Sequence, residues 1–289
     1  MAKTILVTGA TGYIGRRVVT ALLDGGANVL AADLRPCDTL DPRARFVEAD
    51  IFSGPLDGLF AAGIPDACCH LVWKDGFRHN SPYHMESVSQ HYRFLRELAA
   101  RGVRQIAAMG TMHEIGYHEG AVTAETPCRP QSQYGIAKNA LREALLLEFA
   151  NSDICFQWLR GFYLFGDDRL NHSVFTKLLE AAAAGAERFP FSSGTNRYDF
   201  IRLEDFAEQI AACLMQTEVR GVINCCSGVA TPFRDVIEYF IRDRKLTIKP
   251  DYGAFPDRPY DSPAIWGDPA PIDRILAAVG KRRRRFLQD

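Results

Sequence analysis

Val7-Thr8-Gly9-Ala10-Thr11-Gly12-Tyr13-Ile14-Gly15 is the stretch on which the reading of this chain turns. It joins a short β-rich apolar run, Thr4 to Thr8, to a segment of helical spacing, Ile14 to Leu23, which Asp24-Gly25-Gly26 stops. Three glycines so spaced between a strand and a helix allow a tight turn, close approach of backbone to a pyrophosphate, and close helix–strand packing. The free N–H groups of the helix N-terminus then face the phosphates. A glycine triplet alone is weak evidence, because such turns hold glycine for backbone reasons. Asp33 strengthens it: it ends the next strand, eighteen residues beyond Gly15, where a carboxylate accepts from both ribose hydroxyls of an adenosine and repels a 2′-phosphate. NAD(H) is expected over NADP(H). Arg16, Arg17 and Arg35 lie close enough in sequence to leave NADP(H) open.

Outward from the glycines the first half alternates strand and helix. Asn28 to Ala32, Phe46 to Ala49, Ala67 to Val72, Ile106 to Met109 and Ile154 to Leu159 read as strands, with helices from Glu86 to Ala100 and from Tyr134 to Phe149. Short strands joined by helical crossovers predict an α/β fold, a doubly wound parallel sheet covered on both faces. After Gly161 the pattern loosens into Pro, Gly and aromatic residues, interrupted by a helix from Leu203 to Met215 and a strand from Val222 to Cys226. Residues 1–162 are expected to form the dinucleotide-binding domain, to which 201–226 return, and 163–289 mainly a smaller substrate-binding lobe. The lobe would cover the C-terminal edge of the sheet, where ligands of open α/β sheets bind.

Composition narrows the function class. The 289 residues are 47% hydrophobic and 24% charged with a net charge of -1, which gives no field suited to nucleic acid. The run Lys281-Arg282-Arg283-Arg284-Arg285 is the exception and reads as a solvated C-terminal tail. Eight cysteines show no C-x-x-C spacing. Cys68-Cys69 and Cys225-Cys226 sit in apolar runs, so buried free thiols are expected, with no metal. No apolar segment reaches the roughly 18 residues of a bilayer span, and no signal-peptide pattern opens the chain. A cytoplasmic enzyme with no membrane partner is the expectation.

At Tyr134-Gly-Ile-Ala-Lys138 the chain resembles the extended short-chain dehydrogenase/reductase family, the NAD-dependent epimerase/dehydratase type that modifies nucleotide sugars. The likeness includes Thr8 to Gly15, Asp50-Ile51, His70-Leu71-Val72, Leu159-Arg160, Arg197 to Ile201 with Asp205, and Asn224 to Gly228. It implies a Rossmann-type fold, a homodimer and a catalytic set of Thr111, Tyr134 and Lys138. It also implies cofactor contacts from Gly9, Thr11, Gly12, Tyr13, Ile14, Gly15, Asp33, Asp50, Ile51, Leu71, Val72, Tyr134 and Lys138. The Tyr–Lys spacing has its own logic. Residues four apart share a helix face, and an ammonium beside a phenol of pKa about 10 favours the phenolate that exchanges a proton with a substrate oxygen.

Departures from the family pattern bear on the reaction. Sugar 4,6-dehydratases of the family follow this Thr with Asp and Glu, where this chain has Met112 and His113; Glu114 is offset by one residue. Tyr163 and Ser87 each replace an Asn. His172 lies where the GDP-fucose synthase type carries an acid/base histidine. His113, Tyr163 and His172 are candidate substrate contacts, as are Arg197 and Arg258, with Lys177 beside them, for a sugar-nucleotide diphosphate. The leading expectation is reduction of a 4-keto group on a nucleotide-activated 6-deoxyhexose. A 4-epimerase, or epimerase-reductase, with retained NAD stands as the alternative, and a non-catalytic NAD-binding regulator as the rival of another class.

Overall fold

The computed structural model describes residues 2–166, 173–257 and 261–287. The strands run in chain order as β1 (Thr4–Thr8), β2 (Asn28–Asp33), β3 (Arg45–Glu48), β4 (Ala67–His70), β5 (Gln105–Thr111), β6 (Gly120–Val122) and β7 (Cys155–Gly161). They continue as β8 (Tyr163–Phe165), β9 (Arg188–Phe191), β10 (Arg197–Arg202), β11 (Gly221–Cys225), β12 (Ala230–Pro232), β13 (Lys249–Tyr252) and β14 (Ala264–Gly267). The helices are α1 (Tyr13–Asp24), α2 (Tyr83–Ala100), α3 (Gln133–Phe149), α4 (Val174–Ala183), α5 (Leu203–Leu214), α6 (Phe233–Asp243) and α7 (Ala270–Ala278).

Seven parallel strands make the central sheet, ordered β11-β7-β5-β4-β1-β2-β3. Successive side chains of a strand face opposite ways. In β1, Ile5 and Val7 pack under α1, α5 and α7, while Leu6 packs under α2 and α3. This two-sided burial is why every residue of β4 and β7 is buried, rather than alternate ones. A second sheet, β12-β10-β14-β6 with β8 alongside β10, holds a separate aromatic core of Phe165, Phe175, Phe200, Phe240 and Phe286. The two units interleave more than a single cut in the chain suggests. β6, early in sequence, joins the small sheet, whereas α7, near the end, packs with α5 beneath the large one.

The basic run is tied to the body of the fold, although Lys281, Arg282, Arg284 and Arg285 stay exposed to solvent. Arg284 pairs with Asp205 at 2.6 Å, Arg283 with Asp273 at 2.8 Å and Lys281 with Glu208 at 3.7 Å. Phe286 just beyond is buried in the lobe core. The carboxylates lie on α5 and α7, so this segment straps the lobe to the large sheet; local composition carries no information about such distant partners. All eight cysteines are free thiols and six are buried, where desolvation pushes the Cys68 and Cys69 thiols up.

Candidate active site

The glycine loop closes β1 against the end of β4. Gly9 adopts φ +74°, and a Cβ there would meet Val72 N at 3.0 Å. A Cβ on Gly15 would meet the Gly9 carbonyl oxygen at 2.1 Å. Only glycine lets α1 start this close to the loop, with Leu71 and Val72 lying across it. Gly12, the N-cap of α1, brings no side-chain cap, so the helix's positive end is left for an anion. At the end of β2 the Asp33 carboxylate accepts from Thr11 N (3.0 Å), Thr11 Oγ1 (2.8 Å) and Leu34 N (2.8 Å), which fixes it beside the loop. Asp50 holds its own turn by accepting from Phe52 N and Ser53 N, with Ile51 buried between them. A backbone cradle that a Cβ would fill, an uncapped helix start and a placed carboxylate together fit NAD.

On the other side of β4, α3 delivers the Tyr–Lys pair. Ser132 caps α3 by accepting from Gly135 N at 3.1 Å, and Tyr134 N donates to the His79 carbonyl at 2.9 Å. Gly135 has no room for a side chain: a Cβ would meet the His113 carbonyl oxygen at 2.4 Å. The first turn of α3 therefore rests on residues 112–114. Lys138 Nζ donates to the Met109 carbonyl at 2.6 Å and lies 3.8 Å from the centre of the Trp73 ring. The Thr111 side chain lies beside the Tyr134 phenol. Burial pushes the phenol up to about 12, partly offset by the neighbouring Thr111 hydroxyl. Burial pulls Lys138 down to about 7, with the Glu114 carboxylate acting against the fall. The structure thus brings Thr111, Tyr134 and Lys138 together.

Sequence reading missed the ring cluster around them. Five of the seven histidines gather here. His70 bonds Thr8 Oγ1 through Nδ1 and His91 through Nε2, each at 2.8 Å. Trp73 stacks on His91 at 4.4 Å and donates Nε1–H to His84 Nδ1 at 3.0 Å. With Nδ1 accepting, the His84 Nε2–H is the donor to the Arg78 carbonyl at 3.0 Å. The His79 and His113 rings are 4.5 Å apart and stand 5.7 and 5.9 Å from Tyr134. Burial lowers His70 to about 3 and His113 to about 4, so both are neutral near pH 7. The one signal available was His84, Ser87 and His91, which share a helix face by their spacing and are all buried.

Residues 112–114 split three ways. Met112 turns into the lobe core. His113 faces Tyr134. Glu114 is fully buried behind Thr111, where Oε1 accepts from Thr111 N at 2.7 Å and from Trp158 Nε1 at 3.0 Å. Arg160 Nε and Arg142 Nε lie 3.5 and 3.6 Å from its other oxygen. A carboxylate so held is out of reach of a substrate. Neither Met112 nor Glu114 can serve the acid/base pair of a dehydratase.

The lobe contributes Tyr163, whose ring is 6.4 Å from His113 and 4.7 Å from Tyr198. Tyr198 was not foreseen. Arg197, its neighbour on β10, points to the opposite face and donates Nε–H to the Ala230 carbonyl; the structure does not bring it to Tyr134. Lys177 is exposed on α4. His172 and Arg258 lie outside the described residues.

Residues 5–226 match the NAD dependent epimerase/dehydratase family. The chain belongs to that family. It is an NAD-dependent enzyme of the extended short-chain dehydrogenase/reductase type. It is 42% identical over 271 residues to dTDP-6-deoxy-L-talose 4-dehydrogenase (NAD(+)) of Aggregatibacter actinomycetemcomitans, covering 91% of this chain and 98% of that one. It is 27% identical to UDP-arabinose 4-epimerase 1 of Arabidopsis thaliana, over 96% of this chain and 75% of that one. Among solved structures it superposes on MoeE5 in complex with UDP-glucuronic acid and NAD with a TM-score of 0.77 and 25% identity, covering 98% and 95% of the two chains.

Proposed function

We propose that the protein interconverts a C4 hydroxyl and a 4-keto group on a dTDP-6-deoxyhexose, dTDP-6-deoxy-L-talose being the first substrate to test. NAD supplies the hydride acceptor, and NADH the donor in the reductive direction. The observation that carries this reading is the 42% identity to the talose 4-dehydrogenase across nearly the full length of both chains. The turn at 111–114 supports it by removing dehydratase chemistry.

In this reading Gly9, Thr11, Gly12, Tyr13, Ile14 and Gly15 cradle the pyrophosphate. Asp33 takes the adenosine ribose, and Asp50, Ile51, Leu71 and Val72 flank the adenine and the dinucleotide's path. Tyr134 Oη exchanges the proton of the C4 oxygen, Thr111 Oγ1 orients that oxygen by a hydrogen bond, and the Lys138 ammonium stabilises the phenolate and holds the nicotinamide ribose. His113 and Tyr163 line the sugar pocket. The lobe, mainly residues 163–289, would carry the substrate and residues 1–162 the cofactor. Among the described residues no helix is long and apolar enough to cross a membrane. That supports a cytoplasmic enzyme, and the exposed Met85, Ile136 and Leu147 on α2 and α3 support a homodimer through these helices.

The test is stoichiometric. With dTDP-6-deoxy-L-talose and NAD, one NADH should form per 4-keto sugar. Reduction of that ketone in heavy water should leave the flanking carbons unlabelled. Conversion of the sugar with no change in NADH would establish the 4-epimerase instead. Deuterium beside the carbonyl, lost in His113→Ala or His172→Ala, would establish an epimerase-reductase.

A further inference from the structure

We propose a second binding site, for a nucleoside phosphate, on the face of the small sheet turned away from Tyr134. The cavity there has a volume of about 630 Å³, within the roughly 300–1,000 Å³ of small-molecule pockets. Its walls are Arg197, Arg283, Arg285 and the indole of Trp266, with Gly228 and Pro269 between them.

Strand register separates this cavity from the catalytic cleft. β10 and β14 pair with Arg197 opposite Ala264 and Tyr198 opposite Ile265. Side chains alternate along each strand, so Arg197, Ala264 and Trp266 share one face and Tyr198 and Ile265 the other. The second face carries the lobe core and Tyr163, whose ring is 6.4 Å from His113. The sheet itself stands between the two sites, and a ligand in one cannot touch the other.

The chemistry of the walls selects the ligand. Among the described residues three guanidiniums line the cavity and no carboxylate does. Arg283 is fixed in place, with Nε and Nη2 on Asp273 at 2.8 and 3.1 Å and Nη1 on the Ser227 carbonyl. Arg197 is tethered only through Nε, at 3.1 Å from the Ala230 carbonyl; among the described residues its Nη groups have no partner. The nearby buried acid, Asp199, accepts from Ser227, Gly228 and Gly267 and makes no hydrogen bond to a guanidinium among the described residues. Arginine forks pair with phosphate oxygens bidentately, and an indole face stacks on a nucleobase. Phosphate grip and stacking surface in one cavity describe a nucleotide better than inorganic phosphate or a sugar. Arg197 and Arg283 are far apart in sequence, so only the folded chain assembles the site.

The test uses the full-length protein loaded with NAD and titrated calorimetrically with dTDP. A dTDP-binding step should be lost, or weakened at least tenfold, in Arg197→Glu/Arg285→Glu. The single Arg197→Ala should weaken the same step if the double variant fails to fold. The same step should quench Trp266 fluorescence in wild type, with Trp266→Phe removing that signal. Because the cleft can also take dTDP, the number of steps in wild type does not decide the matter. All dTDP binding surviving the arginine variants would overturn the proposal. Pyrophosphate binding there as tightly as dTDP would overturn the nucleoside assignment. Failure of the 4-dehydrogenase reading would change turnover and leave this binding step as it is.

Discussion

On the sheet side of the cleft, Thr111, Tyr134 and Lys138 are held by directional bonds: the Glu114 carboxylate behind Thr111 N, the His79 carbonyl on Tyr134 N and the Met109 carbonyl on Lys138 Nζ. On the lobe side, the rings of Tyr163 and Tyr198 pack against each other and against Phe200. The difference follows from what each wall must do. Proton exchange depends on donor–acceptor distances fixed to a fraction of an ångström, which hydrogen bonds supply. A sugar pocket depends on shape, which packed rings supply and which changes readily when a ring is exchanged. In the proposed function the chemistry thus falls to the wall fixed by hydrogen bonds and the substrate to the wall shaped by packed rings.

Glu114→Ala strikes the first wall hardest. It leaves the guanidiniums of Arg142 and Arg160 buried beside no anion, and removing one partner of a buried ion pair costs about 3–5 kcal/mol. Denaturant unfolding should show a loss of that order, and the milder Glu114→Gln, which keeps the shape and drops the charge, a smaller one. Unchanged stability in both variants would mean the buried carboxylate does not organise this wall.

Tyr134→Phe keeps the ring and deletes the acid. Turnover should fall on the order of a hundredfold or more, as expected for loss of general acid–base catalysis, while NADH affinity measured by fluorescence titration stays close to wild type. Near-normal turnover would take Tyr134 out of the mechanism.

Lys138 gives the same wall a pH signature. Its folded pKa of about 7 lies below the ordinary lysine value of 10.5. Between these two values the unfolded chain holds a proton that the folded chain has released, so folding stability should rise with pH across that window. In Lys138→Met the rise should be smaller than in wild type when melting is followed from pH 7 to pH 10 without cofactor. Identical slopes would place Lys138 in a more solvated setting than its contacts describe.

The smallest effect belongs to the lobe wall. Tyr198→Phe removes the bond from Asn196 Nδ2 (3.0 Å) and keeps the ring packing. A single hydrogen bond of this kind is worth about 1 kcal/mol, read as a shift in the denaturant midpoint, and kcat should drop far less than in Tyr134→Phe. A drop as large as that of Tyr134→Phe would erase the distinction between the walls.

The sequence by itself determined the order of strands and helices in the large sheet, the glycine turn, the acid at Asp33 and the Thr–Tyr–Lys set. The first three are written in local signals, namely period-2 and helical spacing, glycine between strand and helix and an acid closing the next strand. Of the last only the Tyr–Lys spacing is local, and Thr111 came from the family resemblance. Tertiary structure decided the rest because the deciding partners are far apart in the chain. Glu114 reads as a shifted copy of a catalytic acid until Arg142, Trp158 and Arg160 close around it. Arg197 reads as a phosphate ligand of the cleft until strand alternation turns it to the other face. The basic run 281–285 reads as a tail until Asp205, Glu208 and Asp273 take up its charges. In each case the residue type was legible and its direction was not, since direction depends on which long-range neighbours satisfy a charge once water has been excluded.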